Sequence, residues 1–276
     1  MSDKFDVFSR GVKRASPFGT SLFIGLRTLD VFIQYGILAR GLADPILNHL
    51  PISRTPMSSA SIVALGLPLK ALIVLGMAAT TAMKQIYWVL FISQEEMPPT
   101  GALAIAAANI LFNSPSSILS MTAAASYFAP AFLTTANEHT GLSPLFLIGT
   151  FSFVLGTVVE LASEIQRRDF KNDPKNAGKP YTGGLFELAR HINYGAYSSM
   201  RSGYALAAGG WIWGSVIATF FFRDFATRGV PILDEYCTKR YGAPWIEFKK
   251  KVPYKLVPEV VSFPAALSTE FEALLQ

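Results

Sequence analysis

The sequence predicts an all-α fold, a polytopic transmembrane helix bundle of about six membrane segments with the last two forming a short hairpin. Three observations predict it. Hydrophobic residues make up 51% of the 276 residues and charged residues only 16%, against about 25% in ordinary soluble domains. The apolar residues fall in runs near the ~20 residues a helix needs to cross a bilayer. Lys and Arg gather at the ends of those runs, as the preference of basic residues for cytosolic flanks requires. Mean hydropathy is +0.34 and the isoelectric point about 9.3.

Residues 1–17 form a basic segment with Lys4, Arg10, Lys13 and Arg14, which places the N-terminus in the cytosol. They contain no apolar core of a cleaved signal peptide, so the first membrane helix acts as the targeting signal. Residues 18–38 are the first span. Arg27 and Asp30 lie within it, three apart on one face, where they can pair or point into the bundle. The second apolar run, 59–83, contains Pro68, expected to kink it, and Lys70. Residues 84–93 are too short to span, and Tyr87 and Trp88 suit an interface. Residues 101–133 read as one broken helix interrupted at Pro115, and 134–141 as a lumenal loop free of Lys and Arg. Residues 144–162 form the next span, followed by a strongly basic loop from Arg167 to Lys179. The run 192–222 is broken by Gly209 and Gly210 and is basic on both flanks. Two arms joined at the glycines keep both flanks cytosolic, which a single crossing cannot do. The organisation is then a cytosolic segment (1–17), a transmembrane scaffold with the lipid pocket (18–163), a polar, aromatic functional block (164–258) and a tail (259–276).

Composition excludes several chemistries. With Cys237 as the single cysteine there is no intrachain disulfide or cysteine metal site, and the three histidines have no ligand spacing, so no metal is expected. The cations lie beside apolar segments, which makes lipid the partner rather than nucleic acid. Soluble-type nucleotide fingerprints are absent, so any cofactor binds in a helical site. In the block, Arg167, Arg168, Lys171 and Lys179 can hold phosphates. Asn193 and Tyr194 offer hydrogen bonds, and Tyr241, Trp245 and Phe248 offer faces for a planar ring. The same residues also fit a lipid-headgroup patch and an interfacial aromatic belt.

The order of residues separates these readings. The runs at 166–171 (Gln-Arg-Arg-Asp-Phe-Lys), 174–179 (Pro-Lys-Asn-Ala-Gly-Lys), 184–194 (Gly-Leu-Phe-Glu-Leu-Ala-Arg-His-Ile-Asn-Tyr) and 229–235 (Gly-Val-Pro-Ile-Leu-Asp-Glu) resemble the C-terminal part of the steroid 5-alpha-reductase superfamily, which includes the group called DUF1295. Residues 237–258 are similar to the end of the sterol C14- and C7-reductases. The resemblance implies an NADPH site on the cytosolic side of an endoplasmic-reticulum bundle. It puts Arg167, Lys171, Phe186, Asn193, Tyr194, Cys237, Tyr241 and Phe248 at the cofactor, with Arg190 and His191 in the shared signature. Asn176 and Lys179 in the second block and Trp245 in the last complete that set. Ile192 replaces the usual signature proline, and Tyr197 stands where the family carries an acid.

The function this implies is NADPH-dependent reduction of a carbon–carbon double bond in a sterol or other lipid, with Tyr194 and Tyr204 as candidate proton donors. Two alternatives stay open. One is an S-adenosylmethionine-dependent methyltransferase of the isoprenylcysteine type, which shares an Arg-His-Pro-x-Tyr signature. The other is a catalytically inactive membrane scaffold, to which the missing acid points.

Overall fold

The computed structural model describes residues 12–49, 53, 62–93 and 95–260. Most of the N-terminal segment and of the tail therefore lies outside the described residues. The expected class holds: among the described residues five helical stretches are long and apolar enough to cross a membrane, 17–40, 69–92, 99–120, 144–172 and 192–241. The long helices are α1 (Pro17–Arg40), α2 (Leu69–Tyr87), α3 (Pro99–Ser120), α4 (Pro144–Asn172) and α5 (Ile192–Asp224), followed by α6 (Val230–Tyr241) and α7 (Ala243–Lys251). The chain divides into two units: residues up to 155 with 199–219, and 156–198 with residues from 220 onward.

In the first unit, α1 packs on α2 and α3. Its start is fixed by Pro17 and by Ser16, whose hydroxyl accepts the Met97 N–H at 2.9 Å. Gly41, in the left-handed conformation, ends it. The buried stripe of α1 is Gly19, Phe23, Arg27, Asp30, Gln34, Ile37 and Leu38, while Phe18, Leu29 and Phe32 are exposed. Polar groups inside and large apolar groups outside are the arrangement a lipid solvent selects. Helix α3 repeats it, burying Asn109, Asn113, Ser116, Ser117 and Ser120 and exposing Leu103 and Leu111.

Three element boundaries differ from expectation. Pro68 does not kink a span: α2 begins directly after it, because proline's missing N–H and fixed φ suit a helix entry. The preceding residues form a small antiparallel pair, β1 (Ile62–Ala64) with β2 (Leu67–Pro68). Residues 84–92 are no separate interfacial piece but continue the span through a π-helical turn, Trp88–Ile92, with Lys84 buried. Helix α3 runs through Pro115 and ends at Ser120, so the break falls five residues later than the proline.

Helix α5 reverses direction. Gly210 has φ 78° and ψ −174°, a backbone region open only to glycine. A straight helix would hold residues 194 and 225 some ~46 Å apart at 1.5 Å per residue. Instead the Tyr194 and Phe225 rings stack at 4.5 Å, Tyr197 meets Phe221 at 5.4 Å, and a Cβ on Gly214 would lie 3.1 Å from the Leu206 Cα. The expected hairpin is therefore present, and the fifth apolar stretch supplies two legs. Its first leg meets α4 backbone to backbone: a Cβ on Gly149 would lie 2.5 Å from the Ala207 nitrogen, and one on Gly203 would lie 2.5 Å from that of Phe153. Small residues allow this approach.

The second unit contains the end of α4, the base of the hairpin, a π-helical turn (Phe225–Gly229), α6 and α7. Its core is Phe186, Ala189, Ile192, Cys237, Trp245, Phe248 and Val252. Gly242 turns the chain between α6 and α7 with φ 60°.

Candidate cofactor site

The site is built in the second unit on the last turns of α4. Ser163 and Glu164 are buried there, while Lys171 is exposed. The Glu164 carboxylate accepts the Asn193 amide at 2.7 Å and pairs with Arg167 one turn on. The Arg167 guanidinium lies over the Phe186 ring at 5.9 Å. One turn further, the Lys171 ammonium donates to the Lys179 carbonyl and to the Tyr241 hydroxyl at 2.9 Å, and lies 4.6 Å from the Tyr241 ring centre. The Asn176 amide donates to the Phe170 carbonyl at 3.1 Å. The Gln166 amide oxygen accepts the Leu185 N–H at 3.0 Å, and Gly184, at φ 56°, leaves room for it.

A second group forms at the start of α5. The Arg190 and His191 N–H groups donate to the carbonyls of Tyr254 and Lys255 at 3.0 and 2.8 Å. The Arg190 guanidinium donates to the Val252 carbonyl and lies 3.9 Å from Asp234. His191 Nε2 is 3.4 Å from an Asp234 oxygen. Burial pushes the imidazole pKa below its ordinary 6.5, outweighing Asp234, which pushes it up. Tyr194 is half-buried and stacked between His191, at 5.9 Å, and Phe225.

These contacts sort the sequence-predicted residues. Arg167, Lys171, Phe186, Asn193 and Tyr241 converge around Glu164 and the end of α4. Arg190, His191 and Tyr194 converge near Asp234. Cys237, Trp245 and Phe248 are buried in the core with Phe186, where they support the site from behind. Lys179 contributes its carbonyl and Asn176 braces the linker. Tyr204 belongs to the other unit. Tyr197 sits edge-on to Phe221 and Phe225 in an aromatic cluster. Among the described residues no cluster of His, Cys, Asp and Glu is placed to hold a metal ion. Glu164, Gln166 and Asp234 were assigned no role from sequence. The spacing of Glu164 and Arg167 by three was the signal available for the first.

Residues 116–252 match the family described as "Protein of unknown function (DUF1295)". The chain is 42% identical over 245 residues to the "Probable O-methyltransferase ustE" of Ustilaginoidea virens, covering 86% of this chain and 85% of that one. It is 28% identical over 122 residues to the Delta(14)-sterol reductase of Methylotuvimicrobium alcaliphilum, covering 38% of this chain and 28% of that one. The chain belongs to the DUF1295 family, a steroid 5-alpha-reductase-like family of integral membrane proteins whose named relatives are enzymes.

Proposed function

We propose that this chain is an NADPH-dependent reductase of a carbon–carbon double bond in a sterol or other lipid, held in the endoplasmic reticulum membrane with both termini cytosolic. The observation that supports it best is the pair Arg167 and Lys171, one turn apart with aromatic rings beside them. NADPH carries about four negative charges, and a groove of cations fits it. The sulfonium of S-adenosylmethionine gains nothing from them. Arg167, Lys171 and Lys179 would hold the phosphates, and Asn193 and Tyr194 the sugar or ring amide. Bound NADPH would supply the hydride. Glu164 keeps Arg167 and the Asn193 amide in place. His191, kept neutral by burial, fixes one face of the Tyr194 ring, whose hydroxyl is the candidate source of the proton.

One observation favours a second reading, an S-adenosylmethionine-dependent O-methyltransferase. The relative that matches almost the whole chain is named for that reaction. Thermal melting of the purified protein with each cofactor separates the readings. A ligand at a hundred times its Kd raises apparent stability by about 2.7 kcal/mol. The reductase reading expects a shift with NADPH that Tyr194→Ala abolishes. A shift with S-adenosylmethionine alone makes the protein a methyltransferase. No shift with either leaves a scaffold.

A further inference from the structure

The second unit ends on a run of cations that the cofactor reading does not use. Helix α7 closes with Lys249, Lys250 and Lys251, and Lys255 follows after Val252, Pro253 and Tyr254. Lys249 acts on the Asp234 charge. Lys250, Lys251 and Lys255 are exposed, and their ammonium groups have neither an ion pair nor a hydrogen bond among the described residues. The acids of residues 243–260 are Glu247 and Glu259, so four lysines stand against two glutamates. The neighbouring cations Arg228 and Lys239 already have partners, Asp224 and Glu235.

A lysine run at the end of a helix is ordinarily a solvated face. Three features set this one at a bilayer surface instead. Ile246, one turn before Lys250 on α7, is 44% exposed, so the lysine face also carries a large apolar side chain. Leu188, 50% exposed, stands two residues before Arg190, whose N–H donates to the Tyr254 carbonyl at 3.0 Å. The Lys255 carbonyl accepts the His191 N–H at 2.8 Å, and His191 is the residue before the first leg of the hairpin. Lys255 is thus bonded through its backbone to the end of a membrane segment, at the level where the chain leaves the hydrocarbon.

We propose that Lys250, Lys251 and Lys255 bind the headgroups of anionic phospholipids, with Ile246 entering the interface beside them. Lysines around an apolar side chain are the chemistry that recognises an anionic leaflet. Their long stems let the ammonium groups reach the headgroup phosphates while the methylenes stay against apolar neighbours. A nucleic acid or an acidic protein domain would match the charge but leaves the exposed Ile246 and Leu188, and the bond to the end of the hairpin leg, without a reason. The inference rests on the membrane placement of the chain. It goes beyond the cofactor reading and holds whichever cofactor the second unit takes.

The test uses the full chain with Ile246→Cys, labelled with bimane, in phosphatidylcholine nanodiscs. Cys237 is buried and stays in place, and the chain without Ile246→Cys gives the background. Equal amounts of doxyl-labelled phosphatidylserine or doxyl-labelled phosphatidylcholine serve as quenchers. Both faces of a nanodisc carry the same lipids, so the result does not depend on which face is cytosolic, and no cofactor is present. The serine lipid should quench at least twofold more than the choline lipid, and high salt should reduce the excess. Lys250→Gln, Lys251→Gln and Lys255→Gln combined should abolish the excess with an unchanged melting temperature. Should that variant fail to fold, Lys250→Gln with Lys251→Gln, which leaves Lys255 in place, carries the test and should at least halve the excess. Equal quenching by the two lipids, or an excess that survives in the folded variant, overturns the proposal. A bimane shift on adding poly-glutamate to plain phosphatidylcholine nanodiscs, without any excess for the serine lipid, also overturns it and makes the lysines a docking face for an acidic protein.

Discussion

Replacing Lys171 and Arg167 separately tests the cofactor site, because their surroundings make the two losses different. Lys171 is exposed and donates to a backbone carbonyl and a phenol, so Lys171→Ala acts at the surface. A charge-assisted hydrogen bond to phosphate contributes about 1.5–3 kcal/mol, which is about a 10- to 150-fold change in Kd. On the proposed reading Arg167→Ala would remove a similar phosphate contact, and it strips Glu164, 5% exposed, of its ion-pair partner. An uncompensated buried group costs about 1–3 kcal/mol. The lower end applies here, because the Arg167 side chain is 35% exposed and water screens the pair. Lys171→Ala should therefore weaken NADPH binding with an unchanged melting temperature, and Arg167→Ala should weaken binding and lower the melting temperature. Isothermal titration and thermal melts in detergent read the two quantities. Unchanged affinity in both variants refutes the phosphate role. A lowered melting temperature with unchanged affinity in Lys171→Ala would make that residue a structural tie between the linker and α6.

Three further outcomes follow from the geometry. Because burial lowers the His191 pKa, the unfolded chain binds a proton more readily than the folded one. Its stabilisation is complete above pH 6.5 and is lost as pH falls from there towards the lower folded value, so melting temperature should drop in that window and His191→Gln should flatten the profile; an equal drop in the variant contradicts this. Gly210→Ala forces a side chain into a glycine-only conformation with its Cβ 2.3 Å from the Ala125 carbonyl; strain alone costs about 1–3 kcal/mol, so chemical unfolding in detergent should show at least that loss, and a neutral result would mean that the reversal lies elsewhere. With Cys237 replaced by Ser, Glu138→Cys and Ala177→Cys should label from opposite faces of the membrane, and labelling from one face would break the topology.

Much of the scaffold was legible because membrane solvent writes on single segments. Apolar length marks the spans, and basic residues on both flanks of 192–222 required a reversal that Gly209 and Gly210 permit. Segment boundaries were less legible. Pro68 and Pro115 are the same residue type, yet one starts a helix and the other lies inside one. Local sequence does not separate them, because proline suits a helix's first turn and is also tolerated inside a membrane helix. The resemblance to known reductases named a set of candidate positions, and the fold brings Arg167, Phe186 and Asn193 of that set together around Glu164. The internal order of the site was not legible. Glu164 meets Asn193 across 29 residues and His191 meets Asp234 across 43, pairings that only the fold creates. The same holds for Trp245 and Phe248: sequence reads them as stacking faces, while tertiary packing buries them.

The start of α5 has a consequence for the order of biosynthesis. Its first donors, the N–H groups of Arg190 and His191, end on the carbonyls of Tyr254 and Lys255. Gly195 lies so close to the next carbonyl, Leu256, that a Cβ there would come within 1.9 Å of it. The hairpin can enter the bilayer as soon as both legs are made, since each leg satisfies its own backbone. The mouth of that helix stays open until residue 256 has left the ribosome. During synthesis there is thus an interval in which the hairpin exists and the packing around residues 190–195 does not. Quality control acting in that interval would see a buried arginine and histidine still uncovered.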